Sequence, residues 1–190
     1  DVVTYEGDDT YNRALEHNLA VSPEMIVLKA TNRADNWIVY HAGIGAGKSV
    51  YLNTNAAPSS DGSFPTAPTD SVFYLGGAYQ DNGSAYEYIA FLWASVPGIC
   101  DIGSYTGTSV NQTIDCGFTN GARFVLIRRT DAPGEWRYYD ALRGIGASSS
   151  KVLFLNGTGA QQDDLHMVSN SSGFGIVAGG GTVGINGAKY

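Results

Sequence analysis

Hydrophobic and polar positions alternate in short runs along most of the chain. One arrangement occurs twice, in Met25–His41 and in Phe124–Asp140. In both stretches an apolar run ends in a basic residue, a polar segment with turn-forming residues follows, and a second run opens on tryptophan. This pattern predicts a β-hairpin or strand–loop–strand unit in each stretch.

The two stretches are copies of one another, and the similarity extends beyond them. Three identities fall at one constant offset: Thr31/Thr130, Trp37/Trp136 and Tyr40/Tyr139. Further matches, at offsets that drift slightly, are Tyr5 with Tyr105, Leu15 with Ile114, Lys48–Asn53 with Lys151–Asn156, Phe73 with Phe174 and Tyr88 with Tyr190. A drifting offset is expected when loops between fixed strands change length. We therefore predict two pseudo-repeats of about 95–100 residues each. They are residues 1–98 and 99–190, an arrangement that also allows packing as one compact domain.

Short apolar runs separated by turn residues predict strands throughout. In the first copy they are Val2–Tyr5, Arg13–His17, Glu24–Lys29, Trp37–His41, Val50–Leu52, Ser71–Leu75 and Tyr86–Ala94. In the second copy they are Gly103–Tyr105, Gln112–Asp115, Arg123–Arg128, Trp136–Asp140, Lys151–Leu155 and Gly173–Val177. Strands of this length and spacing predict an all-β fold, a β-sandwich of jelly-roll-like character.

The second copy lacks a counterpart to the most apolar strand of the first. After Tyr88 the first copy continues as IAFLWASV, whereas the sequence given reaches Tyr190 at the matching point. The sequence also opens on a strand-like segment without an initiator Met, so we expect a piece of something longer. An uncovered sheet edge is a template for strand addition. We expect a strand from a neighbouring chain, or the N-terminal segment, to cover it.

Composition and charge narrow the classes of function. Only 15% of the residues are charged, while there are 25 Gly and 12 Tyr residues, which is typical of short strands joined by tight turns. The net charge of −7 argues against nucleic-acid binding, which requires a basic face. No apolar run approaches the roughly 20 residues of a membrane span, so no membrane insertion is predicted.

The motifs that could carry chemistry are weak, and we predict no catalytic residue, no cofactor and no metal site. Ala42–Ser49 satisfies a relaxed phosphate-loop pattern, but it leads into a strand where phosphate binding requires a helix N-terminus. The three histidines, His17, His41 and His166, follow no zinc spacing. The acidic pairs Asp8-Asp9 and Asp163-Asp164 fit turn and solubility roles better than a calcium loop.

Aromatic and sulfur-containing residues leave alternatives open. The repeated Trp37 and Trp136 favour core packing over sugar stacking, and Tyr138 and Tyr139 point to opposite faces of one strand, so one of them is expected to be exposed. Cys100 and Cys116 flank a hairpin-like segment. A bridge between them is geometrically possible, but two unpaired thiols, at least one of them buried, are favoured.

The chain resembles a repeat domain of tail-fibre and other appendage proteins in the virions of marine and cyanobacterial bacteriophages. The resemblance covers nearly the whole chain. It is carried by DVVTYEG, PEMIVLK, WIVYH and, most specifically, GSYTGTSVNQTIDCGFTNGARFVLIRRTD. It implies location in the virion, an extracellular particle, and it implies no catalytic residues.

These observations lead to an expectation of function. We expect a structural or adhesion module of a phage particle, most often in a fibre, that forms homo-oligomers and contacts other virion proteins. The alternative is a lectin-like module that binds a host-surface glycan, and a glycan hydrolase is a third reading. A scaffold that is kept twice with divergent loops favours a structural or binding protein over an enzyme.

Overall fold

The computed structural model describes residues 1–179 and 181–190, and within them the chain is all-β and β-sandwich-like. It divides into two compact units, Asp1–Ser95 (unit 1) and Val96–Tyr190 (unit 2). The division falls close to, though not at, the predicted boundary between residues 98 and 99. No helix in the described part of the chain is long and apolar enough to cross a membrane.

Unit 1 consists of a five-stranded and a two-stranded antiparallel sheet. Its strands are β1 (Val2–Glu6), β2 (Arg13–Glu16), β3 (Met25–Ala30), β4 (Ile38–His41), β5 (Val50–Tyr51), β6 (Val72–Leu75) and β7 (Glu87–Trp93). The larger sheet has the order β1-β7-β3-β4-β5, and β2 pairs with β6. The core contains Ile26, Leu28, Tyr88, Ala90 and Leu92 from the large sheet, with Phe73 and Leu75 from β6. Alternation along the strands directs these side chains to one face, where burial of apolar surface stabilises the unit.

Unit 2 also consists of two antiparallel sheets, one of four strands and one of three. Its strands are β8 (Gln112–Asp115), β9 (Phe124–Ile127), β10 (Arg137–Asp140), β11 (Ser150–Phe154), β12 (Gln162–Asp164), β13 (Met167–Asn170) and β14 (Gly173–Ile176). The orders are β12-β11-β10-β9 and β13-β14-β8. The core contains Val125, Ile127, Tyr139, Val152, Met167, Phe174 and Ile176.

Contacts at matched positions support the alignment of the two copies. Leu15 pairs with Phe73 between β2 and β6, and Ile114 pairs with Phe174 between β8 and β14. The segments that follow the tryptophans agree as well. Asn53 Oδ1 accepts a hydrogen bond from the backbone N–H of Trp37 at 3.0 Å. In unit 2 the side chain of Asn156 accepts the backbone N–H of the matching tryptophan at 2.8 Å.

The strand predictions are confirmed to within one or two residues, with three differences. The predicted strand Gly103–Tyr105 was wrong: the structure assigns no strand to these residues, and the neighbouring Thr106 forms an isolated bridge with Lys189. The strands β12 and β13 were not predicted either. In β12 the polar segment Gln162–Asp164 has no alternation of apolar and polar residues.

Candidate functional site

An open depression lies on the outer face of unit 2. It has a volume of about 490 Å³ and is lined by Arg123, Tyr138, Asp140, Ala141, Leu142, Arg143 and Leu153. Strands β10 and β11, the turn after β10 and the residue before β9 position these side chains. As predicted, neighbours on β10 face opposite ways: Tyr139 is fully buried in the core, and Tyr138 is only half-buried.

Arg143 contacts both Asp140 and Tyr138 in the depression. Arg143 Nε lies 2.5 Å from Asp140 Oδ2, and the Arg143 backbone N–H donates to Asp140 Oδ1 at 2.8 Å. These bonds, the backbone one first, lower the pKa of Asp140. The Arg143 guanidinium lies 4.6 Å from the ring centre of Tyr138, whose other neighbour is the ring of Phe124 at 5.2 Å. The result is a charged rim beside an aromatic and aliphatic floor.

The first copy does not carry the same surface. The position of Tyr138 is occupied by Val39 and that of Leu153 by Val50, and both valines are buried in unit 1. A ligand site that arose before the duplication would present the same side chains in both units. The side chains of the depression are therefore not shared by the matched positions of unit 1.

The repeated tryptophans differ in burial, although both were predicted to pack in the core. Trp136 is 5% exposed and confirms the prediction, whereas Trp37 is 36% exposed and contradicts it. The guanidinium of Arg128 lies 5.1 Å from the Trp136 ring and covers it. Unit 1 has Lys29 at this position, and its ammonium donates instead to the carbonyls of Ala30 and Arg33. Trp93 is also exposed, at 42%.

The glycine-rich stretch Ala42–Ser49 forms turns and leads into strand β5. Gly45 and Gly47 have positive φ angles of 81° and 72°, a conformation that glycine adopts without steric cost. Ser49 is buried, and its hydroxyl donates to Asp61 Oδ2 at 2.6 Å. A serine held in this way is an anchor of the loop.

The histidines are dispersed through the structure. His17 Nε2 lies 3.2 Å from the Thr69 carbonyl, His41 Nδ1 accepts the Gly43 N–H at 3.0 Å, and His166 Nδ1 lies 3.1 Å from Asp164 Oδ1. In the part of the chain that the structure describes, no group of three or more His, Cys, Asp or Glu residues could hold a metal ion.

The two acidic pairs have different roles. Asp8 accepts the Thr10 N–H at 2.9 Å, which is a turn contact of the predicted kind. Asp9 accepts the Ser84 N–H at 2.9 Å and so ties its turn to the loop before β7. Asp163 forms an exposed ion pair with Lys151 at 2.6 Å. Asp164 departs from the predicted solvated role, because it is buried on the inner side of β12.

Cys100 and Cys116 are thiols that are not joined in a disulfide, as favoured. Both are half-buried, so the expectation that at least one is buried is wrong. Burial, together with the nearby Asp101, raises the pKa of the Cys116 thiol to about 12. A thiol with so high a pKa is a poor nucleophile at neutral pH.

Comparison with known families gives one match, which covers residues 1–190 and is described as Domain of unknown function (DUF7483). The chain belongs to the DUF7483 family. The match extends over both units. No curated protein and no solved structure matches the chain.

One buried carboxylate of this DUF7483 domain organises a turn of unit 1. Asp81 accepts the Gly76 N–H at 2.5 Å and the Ala78 N–H at 3.1 Å. Burial nevertheless dominates and raises the pKa of Asp81 from 3.8 to about 6. Both oxygens are occupied by backbone donors, so the group is structural despite a pKa that resembles that of a catalytic acid.

The raised pKa of Asp81 predicts a pH dependence of stability. The folded state binds this proton more tightly than the unfolded state, so the stabilisation is complete below the unfolded pKa of 3.8 and is lost as the pH rises through about 6. We expect the free energy of unfolding of unit 1 to fall by up to about 3 kcal/mol across this window. Urea unfolding at a series of pH values across this window, monitored by hydrogen exchange of unit 1 peptides, measures the change in the free energy of unfolding.

The matched variant for this prediction is Asp81→Asn, which keeps the shape of the side chain and removes the titration. It should flatten the pH dependence between about 4 and 6. Burial lowers the pKa of His41, whose contribution therefore has the opposite sign and increases as the pH rises toward 6.5. An unchanged pH profile in the Asp81→Asn variant would show that Asp81 does not carry the dependence.

Proposed function

We propose that the chain is a structural and adhesion module of a bacteriophage virion, part of a tail or head fibre, that assembles as a homo-oligomer. The observation that carries the proposal is the exposure of large apolar side chains that lie outside the two cores. Ile99, Val110, Phe124, Leu142 and Leu165 are each more than half exposed. Exposed apolar side chains mark protein–protein contacts where they lie together in one patch.

The character of the surface also supports assembly with polar contacts between protomers. Only 15% of residues are charged, and the duplicated contacts of the two units are packing contacts rather than the parts of a reactive site. Depletion of charge at the centre of an interface, with aromatic residues enriched, is typical of subunit contacts. The sequence resemblance to virion appendage proteins supplies the setting, and other virion proteins are the further partners. The proposed role requires no catalytic activity.

Leu142 is the sharpest probe of self-association, because its side chain is 93% exposed. We expect Leu142→Glu to weaken the oligomer at least about tenfold in dissociation constant while the melting temperature stays unchanged, since a charge would be buried at the contact. Light scattering after size exclusion, over a range of protein concentrations, measures the assembly. Thr158→Glu, at another exposed position of unit 2, is the control of equal charge. A wild-type protein that remains monomeric throughout would refute the oligomer.

A second candidate, binding of a host-surface glycan, is favoured by the depression around Tyr138. Its volume of about 490 Å³ lies within the range of small-ligand sites, and it combines a ring and aliphatic side chains with arginine and carboxylate groups. A glycan array probed with the wild-type protein and with Tyr138→Ala tests this role. Binding that the variant loses would favour the lectin-like reading, and immunogold labelling of phage particles tests the virion location for both candidates.

A further inference from the structure

The charges of the protein are unequally divided between the two units. Unit 1 contains four Lys and Arg residues against eleven Asp and Glu residues, whereas unit 2 contains seven of each kind. The whole net charge of −7 therefore lies in unit 1, and unit 2 is neutral. A surface with this excess of carboxylates attracts a cationic surface on another molecule, including a second copy of the chain.

The outer face of the large sheet in unit 1 has an aromatic end and an acidic end. Residues opposite one another on antiparallel strands point to the same side, and along β7 the alternation turns Tyr88 into the core. The pair Glu6↔Glu87 therefore lies on the outer side together with Phe91 and Trp93. Trp93 is 42% exposed, and its ring stacks on Phe91 with the ring centres 6.0 Å apart. These four residues form the aromatic–acidic face of unit 1.

The two glutamates of the aromatic–acidic face are not neutralised. Like charges directly opposite one another destabilise a pair of strands. Arg13 donates to the backbone carbonyl of Glu6 at 2.6 Å, but its ion pair is with Asp8. Within the part of the chain that the structure describes, the carboxylates of Glu6 and Glu87 form no ion pair or hydrogen bond. A basic group from outside the chain would relieve their repulsion.

The depression of unit 2 has the complementary character. Asp140 and Arg143 form an ion pair at 2.5 Å, so the charge that is left over belongs to Arg123. The Arg123 side chain is exposed and has no ion pair or hydrogen bond to any residue that the structure describes. Leu142 is 93% exposed and Phe124 is 59% exposed. The depression therefore presents one unneutralised cation among exposed apolar side chains.

We propose that the depression of unit 2 docks on the aromatic–acidic face of unit 1 of a second copy, with Arg123 facing the two glutamates and the apolar side chains in contact. Because the two surfaces differ, the contact is heterologous and copies join head to tail. Contacts of this kind close into rings or continue as filaments. The inference rests on the homo-oligomer of the proposed function and names the two surfaces that form it.

The geometry favours a second copy over a host glycan as the occupant of the depression. The Tyr138 ring, on which a sugar would stack, is already packed against the Arg143 guanidinium at 4.6 Å and the Phe124 ring at 5.2 Å. The outer face of a sheet offers the stacked rings and the carboxylates on one surface, and sheets pack well face to face. An arginine bonded to carboxylates also forms one of the stronger kinds of hydrogen bond.

Two one-sided variants test the head-to-tail contact. Leu142→Glu blocks the depression and leaves the aromatic–acidic face intact, whereas Trp93→Glu blocks that face and leaves the depression intact. We expect each variant alone to associate at least about tenfold more weakly than the wild type. An equimolar mixture should form a one-to-one dimer and nothing larger, because only one intact pair of surfaces remains. Sedimentation velocity with one variant fluorescently labelled measures the composition of the complex.

A matched control and a second variant accompany Trp93→Glu. Tyr11→Glu introduces the same charge at a 67% exposed aromatic side chain close to β2, in the small sheet of unit 1, and should assemble like the wild type. The melting temperature shows whether Trp93→Glu keeps the fold. If it does not, Glu87→Arg, at an exposed position of the same face, replaces it in the mixture.

Reversal of the charges tests which groups meet. Arg123→Glu places a third carboxylate against the two glutamates, so we expect the dissociation constant to rise by about tenfold or more. Adding Glu87→Arg in the same chain should restore association to within about threefold of the wild type, because the two charges are exchanged. Additive losses in the double variant would overturn the proposed contact.

Three further results would overturn the proposal. If Trp93→Glu assembles like the wild type, the aromatic–acidic face takes no part. If both one-sided variants are monomeric and their mixture forms no dimer, the two surfaces do not meet. In these two cases the wild type still assembles, so the homo-oligomer of the proposed function stands. If the wild type binds a glycan through Tyr138 and stays monomeric, the occupant is a sugar and the oligomer fails as well.

Discussion

Asp164→Ala is expected to lower the free energy of unfolding of unit 2 by about 3–5 kcal/mol. The carboxylate is buried on β12 and serves three partners. Its Oδ2 lies 3.1 Å from Arg137 Nη1 and accepts the Tyr139 hydroxyl at 2.6 Å, while Oδ1 accepts the His166 backbone N–H at 2.9 Å. Without it, the largely buried guanidinium of Arg137 loses its counter-charge and the Tyr139 hydroxyl loses its acceptor.

The cost comes mainly from the groups that are left behind. Removing one member of a buried ion pair is far more destabilising than the net worth of the pair, because the remaining charge stays out of water. Burial and the Asp164 charge both raise the pKa of Tyr139, so the hydroxyl stays protonated and remains a donor in need of an acceptor. Guanidinium unfolding, with hydrogen exchange resolved for unit 2 peptides, measures the loss.

The neighbouring Asp163→Ala is the matched control for Asp164→Ala. Asp163 is bonded to Lys151 at 2.6 Å, but the two side chains are 61% and 40% exposed. An exposed pair of this kind contributes about 0–1 kcal/mol, so the control should be nearly neutral. Equal losses for the two variants would mean that the buried network does not stabilise unit 2.

The same acidic pair shows where prediction from sequence reaches its limit. Alternation identified most strands, because one buried face imposes a period of two on apolar residues. Gln162–Asp164 has no such period, since its inward residue is the carboxylate itself. Only the register, which places Asp164 opposite Ser150 on β11, reveals that it faces the core. A buried charge can be recognised in the folded structure, where its partners from other strands surround it, and not from the sequence pattern.

The internal repeat also predicted part of the structure correctly and left another part unpredicted. Similar residues at matched positions predicted a similar backbone in the two copies. The hydrogen bonds from the backbone N–H groups of the two tryptophans to Asn53 and Asn156 agree with that prediction. Burial of the indoles depends instead on the neighbouring basic side chain: Arg128 covers Trp136, whereas the Lys29 ammonium of unit 1 is engaged with backbone carbonyls. The depression around Tyr138 could not be predicted for a related reason, because its side chains come from two strands, a turn and the residue before β9, and they differ between the two copies.

Tyr88→Ala is expected to destabilise unit 1 by about 3–5 kcal/mol, the range for removal of a large buried aromatic side chain. The ring is fully buried and stacks on Tyr5 at 5.0 Å. Its hydroxyl accepts the Gly83 N–H at 2.9 Å and donates to the Tyr79 carbonyl at 2.6 Å, so it also fixes the loop before β7. The substitution therefore opens a cavity and leaves two backbone groups without partners. Urea unfolding followed by hydrogen exchange of unit 1 peptides measures the effect.

Tyr88→Phe separates packing from hydrogen bonding. The ring and its stacking on Tyr5 remain, while the Gly83 N–H loses its acceptor, which should cost about 1–3 kcal/mol. Tyr190→Phe makes the same change in unit 2, where the hydroxyl accepts the Ile185 N–H at 3.1 Å. We expect the larger loss in unit 1, because the Tyr88 hydroxyl also donates to the Tyr79 carbonyl at 2.6 Å and its strand pairs with both β1 and β3. A larger loss for Tyr190→Phe would show that the bond to Ile185 stabilises unit 2 more than the hydroxyl of Tyr88 stabilises unit 1.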